Sequence, residues 1–428
     1  MQIQTVPIHR QSRRHLALLG VTTLLLSSCQ IFGLHEHVET MEAFGVVTIQ
    51  VSPVPSGTAP TYALAWTSDK GGELESAGFH QLPSGGIAAF TLRTDRVYTV
   101  GAFTDTNGNG SYDAGEPGDY VKGVKPRSLG DPDVQSKISK LTLHTNHGLP
   151  PGKTIAIPKE NKELGRQLNL SLGEVVTLDE QRFATDAGGS GLWRPMDFLH
   201  EHRPGIYFTE PYDPARVPVL LVYGIGGTPQ DFRYFANHFD RKRYQVWFYH
   251  YPSGMRLERV ARAMSTGLNL LRARYGFKQC DVVAHSMGGL VARVGIDEAV
   301  RSAGVDFIPR FASIATPWGG HAAASSGIRR LKKPVPSWLD VAPESAFLTE
   351  LYETPLPKGT KYLLIYGSQK GGPFWIKGEN DGVVTVASET DSRVKKDAAS
   401  VIHLSYGHVE ILQRDQTVAE TLKFLGSG

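Results

Sequence analysis

The stretch Cys280-Asp281-Val282-Val283-Ala284-His285-Ser286-Met287-Gly288-Gly289 sets a serine between a short apolar run and the helix-like Leu290-Val291-Ala292-Arg293, with Ala284 and Gly288 two positions away on either side. Strand, small residue, any residue, serine, any residue, glycine, helix is the pattern of a nucleophile elbow. So sharp a turn admits only tiny side chains beside it and lifts the serine hydroxyl clear in a strained conformation. A serine hydroxyl is a weak nucleophile by itself. Ser286 therefore needs a base, and donors that hold the negative charge developing on an acyl oxygen. Tyr223-Gly224-Ile225-Gly226-Gly227-Thr228 follows the apolar run Val217–Val222, and its glycines allow backbone amides to turn toward such an oxygen. No Lys-Ser/Thr pair follows it, which separates it from nucleotide-binding loops.

A second pattern lies upstream. Asp105-Thr106-Asn107-Gly108-Asn109-Gly110 continues through Ser111 and Asp113 to Glu116, the twelfth position. This matches a calcium-loop template, in which a hard cation takes six to eight oxygens. Asp105, Asn107 and Asn109 offer side-chain oxygens, Ser111 a carbonyl, Asp113 a direct or water-bridged oxygen, and Glu116 a bidentate carboxylate. The flanks read as strand and Pro-Gly turn, so the expectation is a structural Ca2+ in a β-rich module. A plain Asn/Gly turn is the alternative.

The elements that would position these groups fall into two textures. From 44 to 157, short β-prone runs such as Val46–Val51, Tyr62–Trp66 and Val97–Val100 alternate with Gly/Pro turns, the spacing of a β-sandwich-like domain. Residues 158–215 read as a connector. From 216 to 428, buried-strand runs alternate with helical stripes, as in Leu257, Val260, Met264, Leu268 and Leu271. That alternation implies an α/β unit with a parallel sheet covered by helices.

Hydrophobic content of 40%, charged content of 20% and a net charge of +3 are ordinary for a globular chain and argue against nucleic acid as a partner. Arg10, Arg13 and Arg14 precede an apolar run from Leu16 to Leu26, short for a membrane span but suited to a signal-peptide core. Leu26-Ser27-Ser28-Cys29 resembles the lipobox of bacterial lipoproteins. That resemblance implies a signal peptide over 1–28, a lipid on Cys29, a tether over 29–43 and, with Gln30 next, the outer membrane of a bacterial envelope. The adjacent arginines also loosely resemble a twin-arginine signal. Cys280 is the only other cysteine.

Taken together, the elbow and the glycine loop make residues from about 216 onward resemble an α/β-hydrolase of the lipase and carboxylesterase type. Ala at the elbow's first position matches a group of bacterial lipases, and Tyr223 stands where the family's loop usually has His. The segment from Tyr207 through the elbow more weakly resembles inositol-deacylase-like lipases. The resemblance implies an α/β-hydrolase fold behind the β-sandwich-like domain. It implies oxyanion donors at the backbone N–H groups of Ile225 and Met287. It also implies an orienting acid at Asp381 in Glu379-Asn380-Asp381-Gly382, with Asp391 and Glu379 as fallbacks. The implied base is His408 in Tyr406-Gly407-His408, with His403 as competitor. Ser286, Asp381, His408 is the chain order of that fold. In Thr316-Pro317-Trp318-Gly319-Gly320-His321, Trp318 is a candidate pocket wall or core residue and His321 a rim residue.

A lid-like insertion is expected at 325–358, where Arg329, Arg330, Lys332 and Lys333 accompany Trp338, Leu339, Phe347 and Leu348. The implied activity is serine-dependent cleavage of an acyl ester or lipid, with no cofactor for catalysis. The alternatives are another acyl transfer by the same residues (phospholipid deacylase, thioesterase, amidase or acyltransferase), or a non-catalytic surface binding protein with a relic hydrolase domain.

Overall fold

The computed structural model describes residues 34, 36–39, 43–51, 59–68, 74–82, 86–126, 138–141, 149, 155–156, 171–371, 373 and 376–427. Signal, lipobox and Cys29 lie outside them.

In the N-terminal part the strands are β1 (Phe44–Val51), β2 (Thr61–Ser68), β3 (Leu74–Gln81), β4 (Ile87–Arg93), β5 (Tyr98–Thr104), β6 (Ser111–Tyr112), β7 (Gly118–Val124), β8 (Ile138–Leu141) and β9 (Ile155–Ala156). They form a sheet of order β4-β1-β8, a sheet of order β3-β2-β5-β7, and the small pair β6-β9. Strand alternation decides which side chains meet. Ala63 and Ala65 of β2 join Val100 and Ala102 of β5 in one buried cluster with Val47, Ile49, Phe90 and Leu92 of the first sheet. Leu64 and Trp66 point the other way, onto Phe103, Tyr112 and Leu149.

The remaining strands are β10 (Ser171–Val175), β11 (Gly205–Phe208), β12 (Val217–Val222), β13 (Tyr244–His250), β14 (Asp281–His285), β15 (Arg310–Ile314), β16 (Lys361–Gly367) and β17 (Ser400–Leu404). They make one sheet of order β10-β11-β13-β12-β14-β15-β16-β17. All neighbours are parallel except β11 and β13. Strands buried on both faces read as unbroken apolar runs, and every residue of β13 and β14 is buried.

The helices of this unit are α1 (Thr185–Trp193), α2 (Pro195–Glu201), α3 (Arg233–Ala236), α4 (Leu257–Tyr275), α5 (Met287–Ala303), α6 (Ala322–Arg330), α7 (Pro336–Val341), α8 (Ala346–Glu350), α9 (Val386–Glu389), α10 (Ser392–Lys395) and α11 (Asp415–Gly426). The expected stripe of α4 is its buried face, and the helix stops at Gly276 in a left-handed cap, φ 69°. The insertion between β15 and β16 contains the three short helices α6, α7 and α8.

The connector reading of 158–215 needs correction. Residues 171–175 and 205–208 are sheet strands, so the α/β unit begins no later than Ser171 rather than at 216. Gly205-Ile206-Tyr207-Phe208 is wholly buried, yet one four-residue apolar run has no periodicity to announce it. Helix α1 belongs to the same unit. A Cβ on Gly188 would stand 2.2 Å from the Gly226 carbonyl oxygen, so its backbone lies directly against the glycine loop.

Candidate active site

Strand β14 ends at His285 and α5 begins at Met287, which leaves Ser286 alone in the turn at φ 54°, ψ −136°. That left-handed φ is costly for a side-chain-bearing residue, on the order of 1–3 kcal/mol. Two backbone bonds fix it: Ser286 N–H donates to Ile314 O, and Gly289 N–H donates to Ser286 O, both at 2.9 Å. The neighbouring glycines answer to crowding. A Cβ on Gly288 would meet Tyr223 O at 2.3 Å, and one on Gly224 would meet Ser286 Cβ at 2.7 Å.

Residues 122 positions apart then meet: the Ser286 hydroxyl lies 2.9 Å from His408 Nε2. Across the ring, Nδ1 lies 2.5 Å from Asp381 Oδ2. With the proton on Nδ1, it donates to Asp381 and Nε2 accepts from Ser286. Asp381 Oδ1 takes the N–H groups of Val383 and Val384 at 2.8 and 2.6 Å. Burial alone would raise the Asp381 carboxyl. The neighbouring His408 ring, its hydrogen bond and these two amides outweigh that and hold it below the usual carboxylate range. His408 N–H also donates to Asp381 O at 2.9 Å, so acid and histidine segments are tied through backbone as well as side chain. His285 lies 2.8 Å from His408 O through Nε2. Burial, then the His408 ring, lower the His285 pKa to about 3, so it is a neutral donor.

The glycine loop faces this group. Gly226 N–H donates to Ser253 Oγ at 2.9 Å and Gly227 N–H to Gly224 O at 3.2 Å. Met287 is the first residue of α5, where an N–H has no acceptor within its own helix. Tyr223, in place of the expected His, makes a reciprocal clasp with Tyr251. The Tyr251 hydroxyl donates to Tyr223 O at 2.6 Å, and the Tyr223 hydroxyl accepts Tyr251 N–H at 2.6 Å. The rings stack at 4.7 Å between centroids, and His250 Nδ1 lies 3.1 Å from the Tyr223 hydroxyl. Burial pushes both phenol pKa values well up, so both stay protonated.

Trp318 is not a pocket wall. It is fully buried and meets Phe311 and Tyr362 edge-on, because the turn after β15 carries it into the core. His321 instead braces the acid loop, with Nε2 2.8 Å from Val383 O, while its Nδ1 accepts Ala323 N–H at the head of α6. His403 is 2.7 Å from Ser368 Oγ and stacks on Tyr366. Asp391 caps α10 and pairs with Arg393, and Glu379 is exposed. None of these three touches Ser286. The sequence reading missed Tyr251, Ser253 and Glu389. A polar Tyr-Pro-Ser-Gly run directly after a buried strand was the available signal for the first two.

In the upstream loop, Asp105 and Glu116 are buried. Asp105 Oδ1 accepts the N–H groups of Gly108 and Asn109, and its Oδ2 that of Gly110. Glu116 accepts from Thr106 N–H at 2.7 Å and Asp113 N–H at 2.9 Å. Asn107 and Asn109 turn amide nitrogens, not oxygens, onto Asp113 Oδ2 at 2.8 and 2.6 Å. Asn109 Oδ1 takes Ser111 N–H at 2.8 Å. The acids thus bracket the loop, but the two carboxamides as placed do not present oxygens to a cation. Among the described residues no group of three or more His, Cys, Asp or Glu stands ready to hold a metal ion.

No family model matches the chain, and no curated relative matches it. Solved structures are similar to it over about half its length. Lipase BlEst2 of Bacillus licheniformis in mature form is 16% identical, with 51% of this chain and 97% of that one covered and a TM-score of 0.40. Phospholipase PlaB of Legionella pneumophila is 15% identical, with 50% and 60% covered and a TM-score of 0.40. Lipase B of Aspergillus fumigatus is 14% identical, with 52% and 56% covered and a TM-score of 0.39. Likenesses this distant say nothing of what this chain acts on.

Proposed function

We propose that this protein is a serine hydrolase that cleaves carboxylic esters through an acyl-enzyme. The observation that carries the proposal is the continuous Ser286–His408–Asp381 hydrogen-bond path at a strained strand-to-helix turn. As Ser286 Oγ attacks an acyl carbonyl, its proton passes to His408 Nε2, and Asp381 steadies the imidazolium. The carbonyl electron pair moves onto oxygen, which rests on the amides of Ile225 and Met287; a single such donor typically contributes about 3 kcal/mol. Collapse expels the alcohol, which takes the proton from His408. Water then repeats the cycle on the acyl-enzyme and releases the acid.

The test uses purified protein with esters of graded acyl length, phospholipids, a thioester and an amide. Ser286→Ala and His408→Ala should each abolish nearly all ester turnover in a chain that still folds, His408→Ala at a lower melting temperature because buried Asp381 loses its partner, and the double variant should be little worse in turnover. Asp381→Asn should lose several orders of magnitude through tautomer control. Turnover surviving in Ser286→Ala would overturn Ser286 as the nucleophile, whereas no turnover and no labelling of Ser286 by a fluorophosphonate would leave the relic binding protein as the reading.

Two further parts belong to this proposal. The N-terminal sheets are read as a sandwich module whose Asp105–Glu116 loop takes a structural Ca2+, supported by the template spacing of Asp105, Asn107, Asn109, Ser111, Asp113 and Glu116 in the sequence; Asn107 and Asn109 must turn their carboxamides over to bind it. The chain is read as a bacterial envelope lipoprotein anchored through Cys29. Mass spectrometry of the mature N-terminus tests that, and an unmodified terminus elsewhere rules it out.

A further inference from the structure

Asp381 has a second carboxyl beside it. Glu389, the last residue of α9, is 1% exposed. Its Oε2 accepts Gly367 N–H at 2.9 Å. Its other oxygen, Oε1, is buried and receives no donor among the described residues. The charge of Asp381 bears directly on this carboxyl. Gly367, at the end of β16, brings the two together. Its N–H holds Glu389, and a Cβ on it would stand 3.2 Å from Asp381 Cβ.

Two buried carboxyls in contact do not both ionise, because each charge opposes the other in a site that water cannot screen. The donors decide which keeps the proton. Asp381 receives His408 Nδ1–H and the amides of Val383 and Val384, three in all, whereas Glu389 receives only Gly367 N–H. We propose that Glu389 is a neutral carboxylic acid that donates a hydrogen bond to the Asp381 carboxylate and so fixes the orientation in which Asp381 receives His408. Glu389 is then a positioning residue that touches neither substrate nor Ser286. The inference rests on reading Asp381 as the orienting acid.

Burial, and then the charge of Asp381, push the Glu389 carboxyl well above the usual range, while the Gly367 amide pulls the other way. The groups facing it are Asp381 from the acid loop and Gly367 from β16, with His408 beyond Asp381. No arginine or lysine among the described residues is placed to favour its ionised form. The arrangement has a direction in pH. At neutral pH Glu389 keeps its proton and donates it to the Asp381 carboxylate. Where Glu389 loses it at alkaline pH, two adjoining charges repel and Asp381 is pushed out of line.

Glu389→Gln and Glu389→Ala separate this role from simple filling of space. The glutamine keeps a donor for Asp381 and an acceptor for Gly367 N–H without a titrating proton; the alanine keeps neither. Kinetics on the full chain, with melting curves alongside, should show the glutamine variant within about threefold of the parent kcat. The alanine variant should lose about ten- to a hundredfold in kcat with KM within about twofold, the usual cost of removing a partner that orients a functional group. The alkaline fall in kcat of the parent should be reduced in the glutamine variant.

Infrared spectra of parent minus Glu389→Gln at neutral pH should show a protonated-carboxyl stretch, a readout that does not need activity. Glutamine as poor as alanine, with both folded, overturns the donor role. So does a difference spectrum with no protonated carboxyl, which also decides the matter if the alanine variant does not fold. A parent without Ser286-dependent turnover sinks the hydrolase reading instead, and leaves the infrared result to stand or fall separately.

Discussion

The hydroxyl of Tyr251 holds the carbonyl of Tyr223 at 2.6 Å, while the hydroxyl of Tyr223 holds the N–H of Tyr251 at the same distance. Each side chain thus satisfies the other's backbone where the chain leaves β12 and β13. The glycine loop beginning at Tyr223 has few side chains of its own to stiffen it, so its amides are aimed by this clasp and by Ser253. Tyr251→Phe leaves the Tyr223 carbonyl buried without that donor, at a cost of about 1–3 kcal/mol in stability. It should lower kcat about tenfold with KM little changed, because a loosened donor acts mainly on the transition state. Melting and steady-state kinetics read the two effects separately. Unchanged kcat would mean that Ser253 and the glycines suffice.

Gly224 and Gly276 predict opposite phenotypes for the same substitution. A Cβ at Gly224 meets Ser286 Cβ at 2.7 Å, so Gly224→Ala must displace the nucleophile or the loop and should abolish most turnover. Gly276 has φ 69° but open space around it. Gly276→Ala should therefore cost about 1 kcal/mol of stability from backbone strain alone and leave kcat untouched. Equal loss of activity in both would refute a crowding argument specific to Gly224.

Asp281 gives the fold a pH dependence. Burial raises its carboxyl to about 7, with Arg310 and Arg243 pulling the other way. Between about pH 4 and pH 7 the folded chain keeps a proton that the unfolded chain has released, so stability falls as pH rises through that window. Above it the loss is complete, on the order of 4 kcal/mol at roughly 1.4 kcal/mol per pKa unit. Asp281→Asn should raise the melting temperature at pH 8 and change it little at pH 4. A gain of the same size at both pH values would mean that the effect is not protonation.

Calcium should raise the melting temperature of the parent, by about 2.7 kcal/mol in stability at a hundredfold excess over Kd. Asp105→Ala should abolish the rise, and turnover at a temperature where both forms are folded should not change. No shift with calcium would leave the loop as a turn satisfied by its own amides.

Much of the site was legible because its groups carry local signals. Ser286 needs small neighbours, Asp381 lies in an Asn-Asp-Gly turn, and His408 follows the last strand. What escaped are the residues whose role depends on partners far along the chain. Glu389 reads as a surface acid until Gly367 and Asp381 close around it. Trp318 reads equally as wall or core until Phe311 and Tyr362 are in place. Strands β10 and β11 escaped for another reason: a four- or five-residue segment is recognised by what it pairs with, not by its own pattern.

Helix α5 starts at the residue after Ser286, runs for 17 residues and has no acidic side chain in its first turn. Its aligned peptide groups concentrate roughly half a positive charge at that end. A negative oxygen formed at Ser286 thus meets a field made by backbone dipoles, in a place where Ser286, His408 and Asp381 are all nearly shielded from solvent. Peptide dipoles neither titrate nor attract a compensating cloud of ions as surface lysines would. In the proposed hydrolysis, the field that lowers the barrier is installed when the chain folds, and neither ionic strength nor a shift of pH near neutrality has a handle on it.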